Sequence, residues 1–376
     1  MGRRWTINGR FLSQPTTGVQ RYAREIVNSL DALIAERAPL ARGIEVQLHC
    51  PPGSDEMPLA SIVRREVGSA GGHVWEQTQL PSSLNGSGLL SLCNTGPLLS
   101  RKHIVCIHDA NVWNAPQSYS FAFRSLYRTL LPGLGKTARS ISTVSGYSLG
   151  ELVGRRVIPA QRSFVAPNGH EHVLRWTPGH SPATQRAASP ETIVLIGSAA
   201  PHKNVDLILN MADRLAENGF RIAIVGMSDS RVFRSGLSPT QAQHVHWLGR
   251  ISDSELAALL ADSLCLAFPS LTEGFGLPAL EAMAIGCPVV VSDRASLPEV
   301  CGDAALFAPP DDPEAWFARF TELRSSLALQ LRMVARGKER ALKYSWRETA
   351  MRYLEAMAAA DGVETGTRSS RVCEFT

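Results

Sequence analysis

Glu273 and Glu281 are separated by seven residues within the segment FPSLTEGFGLPALEAM, which runs from residue 268 to residue 283. A carboxylate that accepts hydrogen bonds from vicinal hydroxyls is what recognition of a ribose or a sugar requires. A pair of carboxylates is also the machinery of a glycosidase, where the two lie roughly 5–9.5 Å apart. Eight residues of continuous helix would separate them by about 12 Å. Because proline and glycine interrupt that helix, the spacing alone leaves both chemistries open.

The loop between these glutamates has the residues needed for close approach to a ligand. Gly274 and Gly276 carry no side chain, so the main chain and its N–H groups can lie against a bound molecule. Pro278 suits the first turn of a helix, and Gly286 suits its end. The segment therefore predicts a buried strand, a ligand-binding loop and a helix that carries Glu281 near its start.

Lys203 and His108 are the basic side chains best placed to assist such chemistry. A lysine stabilises the negative charge that develops on a departing diphosphate. His108 ends the predicted strand His103–His108, and the carboxyl ends of strands in α/β proteins face bound ligands. Both residues also have an ordinary interpretation, because a single lysine is usually solvated and a single histidine is usually structural. The role of the neighbouring Asp109 stays open.

Gly18 opens a predicted amphipathic helix in the N-terminal half. The apolar residues of that helix recur at the three-and-four spacing of one buried face: Val19, Tyr22, Ala23, Ile26, Val27 and Leu30. A glycine at the head of the helix would let the loop come close to a ligand. The alternative is that the turn itself requires glycine.

Short apolar runs alternate with amphipathic stretches along the chain, which is typical of parallel sheets covered by helices. The predicted strands are Trp5–Ile7, Glu45–Cys50, His103–His108, Ser140–Val144, Ile193–Ile196, Arg221–Val225, Leu264–Phe268 and Pro288–Ser292. A Pro- and Ser-rich stretch from Thr177 to Pro190 is the predicted linker. The predicted fold class is therefore α/β, with two Rossmann-like doubly wound domains, residues 1–180 and 190–345, facing each other across a cleft. The polar residues 361–376 predict a disordered tail.

The composition predicts a globular cytoplasmic protein. Hydrophobic residues make up 44% of the 376 residues, and no apolar run approaches the roughly 18 residues of a membrane helix. No signal-peptide pattern is visible, and the seven cysteines and ten histidines lack disulfide or metal-site spacing. Residues 1–180 carry 19 Lys/Arg against 11 Asp/Glu, a net +8, and the rest carry 19 against 23, a net −4. The basic half would suit an anionic membrane or a lipid-linked diphosphate, whereas nucleic acid is not expected.

These motifs closely resemble those of the retaining glycosyltransferases of family 4, which have the GT-B fold. The resemblance is strongest in EGFGLPALEAM at 273–283, GCPVV at 286–290 and SLPEV at 296–300. It extends over residues 5–355 through shorter matches: TGVQRYA at 17–23, WEQ at 75–77, IHD at 107–109, TVS at 143–145, PNG at 167–169, PHKN at 201–204 and LGR at 248–250.

The resemblance implies three catalytic residues, Glu273, His108 and Lys203. Glu273 and His108 would contact the donor sugar, and Lys203 would hold the donor diphosphate. The implied donor-binding residues are Gly18, Ser198, Gly274, Phe275, Gly276, Leu277, Arg250 and Glu281, of which Glu281 would hold the ribose. Family members commonly carry an arginine where this chain has Ser198. A second phosphate-binding cation is therefore either missing or supplied elsewhere, for example by His202.

The resemblance further implies a retaining hexosyltransferase that acts without a metal or other cofactor. The first expectation is mannose transfer from GDP-mannose to a lipid-linked or saccharide acceptor in polysaccharide biosynthesis. Peripheral contact with anionic lipid at the inner face of the plasma membrane is expected. The N-terminal domain would bind the acceptor and the C-terminal domain the nucleotide sugar, and a helix at 346–360 would cross back to the N-terminal domain. Two alternatives stay open: a catalytically silent nucleotide-sugar-binding protein, and a GT-B epimerase or phosphorylase.

Overall fold

The computed structural model describes residues 3–197, 200–226 and 244–363. The chain divides into two compact units. Within the described residues, the first unit comprises 3–113, Ser120–Gly169 and 345–363, and the second comprises Asn114–Tyr119 and the described part of His170–Tyr344.

The first unit is built on a parallel sheet whose described strands lie in the order β3-β2-β1-β4-β5-β6-β7. The strands are β1 (Arg3–Asn8), β2 (Ile44–Cys50), β3 (Val63–Glu66), β4 (Gly88–Ser91), β5 (His103–Cys106), β6 (Ser140–Thr143) and β7 (Ser163–Val165). The strand order changes direction between β1 and β4, where ligands bind in open α/β sheets.

The helices along this part of the chain are Gly18–Ala35, Gly72–Val74, Leu80–Ser83, Asn111–Asn114, Phe121–Thr137, Gly146–Gly154 and Trp346–Ala360, with a π-helix at Trp75–Gln79. Short 3-10 turns lie at Gly9–Ser13, Pro39–Ala41 and Ala160–Arg162. The predicted apolar face of Gly18–Ala35 is buried from Tyr22 through Leu30. The hydroxyl of Tyr22 lies 2.8 Å from that of Tyr353, which lies 2.6 Å from Ser142 Oγ. The helix Trp346–Ala360 is thereby attached to the first unit.

The second unit is built on a separate parallel sheet, in which the described strands lie in the order β10-β9-β8-β11-β12-β13. These strands are β8 (Thr192–Ile196), β9 (Arg221–Val225), β10 (Val245–Gly249), β11 (Cys265–Phe268), β12 (Val289–Ser292) and β13 (Leu306–Ala308). Phe220, Trp316 and Phe320 are fully buried in its core, together with alternate residues of β8 and β9.

The helices of the second unit are Pro182–Ala187, Val205–Leu209, Ala212–Glu217, Asp253–Ala261, Leu277–Ile285, Leu297–Cys301, Pro313–Ser325 and Leu327–Ala341. Its 3-10 turns are Pro116–Ser118, Val173–Arg175, Pro201–Lys203 and Gly302–Ala304.

The stretch from Thr177 to Pro190 is not a linker, which corrects the prediction. Ser181 and Pro182 start a helix there, since the serine side chain caps the Thr184 N–H and proline fits the first turn. The backbone N–H of Gly179 also donates to the carbonyl of Ser254 at 3.1 Å. The second unit therefore begins at His170 rather than after residue 180.

The start of the predicted tail is held by hydrogen bonds. Oδ2 of Asp361 accepts from Nε of Arg3 at 2.8 Å and from Nε1 of Trp5 at 3.0 Å. Residues 361–363 are thus not part of a disordered tail, while 364–376 lie outside the described residues. No helix among the described residues has both the length and the apolar character to cross a membrane.

Candidate active site

The glycine-bearing loop follows β11, as the sequence predicts. At its end, Gly276 has φ +99°, a left-handed conformation that L side chains rarely adopt. A Cβ at this position would also lie 2.6 Å from Cδ2 of Leu297. The helix Leu277–Ile285 then begins with Pro278 in its first turn and ends at Gly286, which has φ +97°. Glycine at 276 is therefore required to turn the chain sharply into the helix.

Glu273 is held within this loop by contacts on both its main chain and its side chain. Ser296 Oγ donates to the Glu273 carbonyl at 3.1 Å. Oε1 of Glu273 accepts from Nζ of Lys203 at 2.7 Å, and the glutamate side chain is 11% exposed. Within the described ranges no hydrogen bond reaches Oε2. The second oxygen of this carboxylate is therefore available to a hydroxyl donor.

Lys203 comes from the loop after β8, the strand adjacent to β11. The backbone N–H of Leu271 donates to the carbonyl of His202 at 2.8 Å, which ties the two loops together. Asn204, in the left-handed conformation with φ 52°, donates its side-chain amide to the carbonyls of Pro269 at 3.2 Å and Pro310 at 2.7 Å. The lysine ammonium also lies 5.3 Å from the centre of the Phe268 ring.

This arrangement places one ammonium group beside one carboxylate at the carboxyl ends of two neighbouring strands. An ammonium has three donors, and only the bond to Glu273 is formed by the described residues. The remaining donors are available to an acceptor group while Glu273 keeps the ammonium in place. The sequence predicts each residue separately, and the structure brings them into direct contact.

Glu281 is buried in the first turns of the helix Leu277–Ile285, where its Oε1 lies 2.9 Å from Nε2 of His172. His172 is itself buried and packs edge-on against Trp176 at 5.4 Å. No motif marks His172 in the sequence, although it lies three residues after the PNG segment. The histidine fixes the rotamer of the carboxylate that the resemblance assigns to the ribose.

The surroundings of His202 disfavour a second phosphate-binding cation at this position. Burial lowers the pKa of His202, and the nearby positive charge of Lys203 lowers it further, so the neutral ring is favoured at neutral pH. Nδ1 of the ring lies 2.8 Å from Ser118 Oγ, and Tyr119 stacks on the ring with centroids 6.3 Å apart. The residue therefore attaches the Asn114–Tyr119 segment to the second unit. Ser198, at the position where the family arginine is expected, lies outside the described residues.

Four further donor-binding residues are predicted in the second unit: Gly274, Phe275, Leu277 and Arg250. The ring of Phe275 packs edge-on against Tyr344 with centroids 5.4 Å apart, and both Phe275 and Leu277 are buried. Gly274 follows Glu273 directly in the same loop. Arg250 is exposed just after β10, and no contact joins it to Glu273 or Lys203.

Two of the predicted residues, Gly18 and His108, lie in the first unit. Gly18 is the first residue of its helix, has an ordinary φ, and would meet nothing within 4 Å if it carried a Cβ. Neither the backbone conformation nor the packing at residue 18 therefore requires glycine. His108 is buried just beyond β5, where its Nε2 lies 2.8 Å from the Leu92 carbonyl. Its backbone N–H donates to Oδ1 of Asn94 at 2.7 Å.

The ring of His108 also packs edge-on against Tyr22, with centroids 4.8 Å apart. Burial alone would lower the pKa of His108, but the neighbouring sulfur of Cys106 and the Leu92 carbonyl favour the protonated ring, and the net pKa is raised. The imidazole is thus held firmly at the carboxyl edge of the sheet. Its contact with a donor sugar stays a prediction. Among the described residues, no group of three or more His, Cys, Asp or Glu side chains could hold a metal ion.

Solved structures of glycosyltransferases have the same fold. A sucrose-phosphate synthase from Thermosynechococcus elongatus superposes with a TM-score of 0.72 over 96% of this chain and 99% of its own, at 16% identity. WaaG, a glycosyltransferase involved in lipopolysaccharide biosynthesis, gives a TM-score of 0.66 over 96% and 100%, also at 16% identity. At such identities the likeness establishes the fold alone, which is GT-B.

Sequence comparison then gives the family. Residues 180–340 match the family model described as glycosyl transferases group 1. The O-antigen chain mannosyltransferase B of Escherichia coli is 28% identical over 67% of this chain and 69% of its own. The MMP alpha-(1->4)-mannosyltransferase of Mycolicibacterium hassiacum is 30% identical over 70% and 66%. The alignments thus span about two thirds of these relatives. The chain belongs to the group 1 glycosyltransferases, as the resemblance predicts.

Proposed function

We propose that this chain is a retaining mannosyltransferase that moves mannose from GDP-mannose to a saccharide or lipid-linked acceptor in polysaccharide biosynthesis. The family membership supports glycosyl transfer. The choice of mannose rests on the relatives, because those from Escherichia coli, Mycolicibacterium hassiacum and Salmonella typhimurium are all named as mannosyltransferases.

The observation that carries the proposal is the contact between Lys203 and Glu273 beside the glycine-bearing loop. Transfer of a sugar leaves negative charge on the departing diphosphate, and a preorganised ammonium stabilises that charge without having to reorganise. The free Oε2 of Glu273 accepts a hydrogen bond from a hydroxyl of the transferred sugar. One ion pair thus acts on both sides of the bond that breaks.

Glu281 supplies the donor's other anchor in this proposal. Its carboxylate accepts hydrogen bonds from the vicinal ribose hydroxyls, and His172 holds it in the required rotamer. Backbone N–H groups at the start of the helix Leu277–Ile285 add partial positive charge toward the diphosphate. Lys203 and the start of this helix together provide the positive charge that a metal supplies in other transferases. We therefore expect activity without a divalent cation.

Retention at the anomeric carbon is proposed to follow from front-face displacement, in which the leaving phosphate takes the proton of the acceptor hydroxyl. The bond between the anomeric carbon and the phosphate oxygen breaks, and a bond from that carbon to the acceptor oxygen forms on the same face. GDP leaves with the proton. The net charge of +8 over residues 1–180 favours an acceptor that carries phosphate or lies at an anionic lipid surface.

The test begins with donor identification by thermal shift. We expect GDP-mannose to raise the melting temperature of the protein more than GDP-glucose, UDP-glucose or UDP-N-acetylglucosamine does, because a specific ligand stabilises the fold according to its occupancy. The protein is then incubated with GDP-mannose and a panel of octyl glycosides in the presence of EDTA. Mass spectrometry should detect an added hexose and free GDP.

Each alternative gives a different result in this assay. A silent binding protein would shift its melting temperature with GDP-mannose yet release no GDP, even over long incubation. An epimerase would release a different sugar without glycosylating any acceptor, and a phosphorylase would act only with inorganic phosphate. Any of these outcomes would rule out the proposed transferase.

A further inference from the structure

A buried polar cluster lies in the first unit where β1 and β4 end side by side. The order of the sheet changes direction between these two strands, and the crevice at such a point is where open α/β sheets bind ligands. Nδ2 of Asn8, the last residue of β1, donates to Oγ of Ser91, the last residue of β4, at 3.3 Å. The cluster therefore begins at the strand ends themselves.

Glu76 is the centre of this cluster and is completely buried. Its Oε1 accepts from Asn8 Nδ2 at 2.7 Å and from Arg10 Nε at 3.0 Å. Its Oε2 accepts from Thr95 Oγ1 at 2.8 Å and lies 3.1 Å from Nδ1 of His73. Burial alone would raise the pKa of Glu76, but the hydrogen bond from His73 and the charge of Arg10 outweigh burial, and the pKa is lowered. Glu76 is thus an ionised carboxylate inside the unit.

The carboxylate determines which nitrogen of His73 carries a proton. An ionised carboxylate only accepts hydrogen bonds, so Nδ1 of His73 must be the donor. In the neutral ring, Nε2 is then left with a lone pair. The side chain is 32% exposed, and no described residue hydrogen-bonds to Nε2. The ring also packs edge-on against Tyr127, with centroids 6.0 Å apart, which fixes its plane.

The histidine is one of four side chains that stabilise the buried carboxylate. Arg10 neutralises the charge of Glu76, and Asn8 and Thr95 donate to its two oxygens. The contact with Glu76 also fixes an outward-facing acceptor nitrogen on the histidine. His73 lies in the short helix Gly72–Val74, which runs into the π-helix Trp75–Gln79, and such helices are often found at functional sites.

We propose that His73 binds the acceptor substrate: its Nε2 accepts a hydrogen bond from a hydroxyl of a saccharide acceptor. Glu76 is the positioning residue that keeps Nδ1 protonated and the ring in place. The inference rests on the proposed function, since it assigns the second substrate of the same reaction. A hydroxyl is the ligand that fits, because a lone pair beside a neutralised ion pair attracts a hydrogen-bond donor and not an anion.

The key variant is His73→Asn, which keeps an N–H near the position of Nδ1 but removes Nε2. Wild type and variant are compared in GDP-mannose hydrolysis without acceptor and in transfer to an octyl glycoside. We expect kcat/KM for the glycoside to fall about tenfold, as for loss of one hydrogen bond. The KM for GDP-mannose and the hydrolysis rate should stay within twofold of wild type. His73→Gln, whose amide reaches the position of Nε2, should recover part of the loss.

Thr78→Ala serves as the matched control, because Thr78 is exposed on the adjoining π-helix and its hydroxyl donates to the Val74 carbonyl. It should leave both rates unchanged. Unchanged transfer by His73→Asn would overturn the inference, and so would an equal fall in hydrolysis and transfer, which would indicate a structural role. A wild-type protein that hydrolyses GDP-mannose but transfers to no glycoside would also overturn it. If the wild-type protein neither hydrolyses GDP-mannose nor transfers its sugar, that result would instead contradict the proposed function, and the inference with it.

Discussion

Nζ of Lys203 lies 2.7 Å from Oε1 of Glu273, although the two residues are 70 positions apart in the sequence. They meet because β8 and β11 are neighbours in the sheet and both residues follow the carboxyl end of their strand. The pair gives the second unit a fixed cation and a fixed hydroxyl acceptor at one point. The proposed sugar transfer depends on this contact.

Removing either partner should slow the chemical step. We expect Lys203→Ala and Glu273→Gln each to lower kcat by about 10²–10³, the usual cost of losing one group that stabilises developing charge. The fall in kcat of the double variant should be smaller than the product of the two single falls, because each residue positions the other. Steady-state kinetics measure this, with the exposed Lys343→Ala as control. Full turnover in either single variant would show that the ion pair is only structural.

Gly18→Ala separates a functional glycine from a structural one. An added Cβ meets nothing at residue 18, and alanine favours a helix more than glycine does, so the melting temperature should stay the same or rise slightly. If the backbone at Gly18 contacts the donor, GDP-mannose KM should rise about tenfold or more. Thermal unfolding and donor kinetics on the same sample decide this. Unchanged KM would remove Gly18 from the donor-binding set.

Gly276→Ala should destabilise the protein, in contrast to Gly18→Ala. Its φ of +99° makes any L side chain strained, and the new Cβ would press on Leu297. We expect the free energy of unfolding to fall by about 1–3 kcal/mol. Urea denaturation of Gly276→Ala and Gly18→Ala side by side is the measurement. Equal stability of the two variants would mean that the loop can adopt another path into the helix.

Glu76 should make the first unit sensitive to acid. Its pKa is lower in the folded protein than the ordinary value of 4.5, so its stabilising contribution is present above about pH 4.5 and is lost as pH falls through the folded pKa. Glu76→Gln leaves Arg10 buried without a charged partner, which should cost about 3–5 kcal/mol at pH 7. Below pH 4.5 the difference in the free energy of unfolding between the variant and the wild type should become smaller.

The measurement for Glu76 is urea denaturation between pH 7 and pH 3.5. Glu45→Gln, at an exposed position on β2, controls for the loss of a carboxylate in the same unit and should follow the wild-type curve. If the difference in the free energy of unfolding between the wild type and Glu76→Gln stays constant over this range, the lowered pKa of Glu76 is contradicted.

The sequence predicts eight of the thirteen described strands and misses β3, β4, β7, β10 and β13. All eight predicted strands are present, with ends moved by at most a few residues. The missed β3 has the sequence VRRE and lies at the sheet edge, where no apolar pattern is required. The missed β4 begins with Gly88, where a Cβ would lie within 2.8 Å of the Trp5 ring, so glycine there reflects close packing and not a loop.

The site was predictable as a set of residues but not as a set of contacts. Glu273, Gly276, Lys203 and Glu281 were each recognisable from residue type and motif. The ion pair between Lys203 and Glu273 depends on strand adjacency, which no local pattern encodes. The role of His202 depends on Ser118, 84 residues earlier in the chain, and that of Glu281 depends on His172. Such partners become visible only once the fold brings distant segments together.

The anomeric configuration of the product tests the central claim most directly. GDP-mannose carries its mannose in the α configuration, and a retaining enzyme that uses Lys203 to support the departing diphosphate must deliver an α-mannoside. NMR of the purified octyl glycoside product, recorded on its anomeric carbon and proton, gives the answer. We expect a single new α-linked mannose. A β-linked product, or no linked mannose after complete consumption of GDP-mannose, would contradict the account.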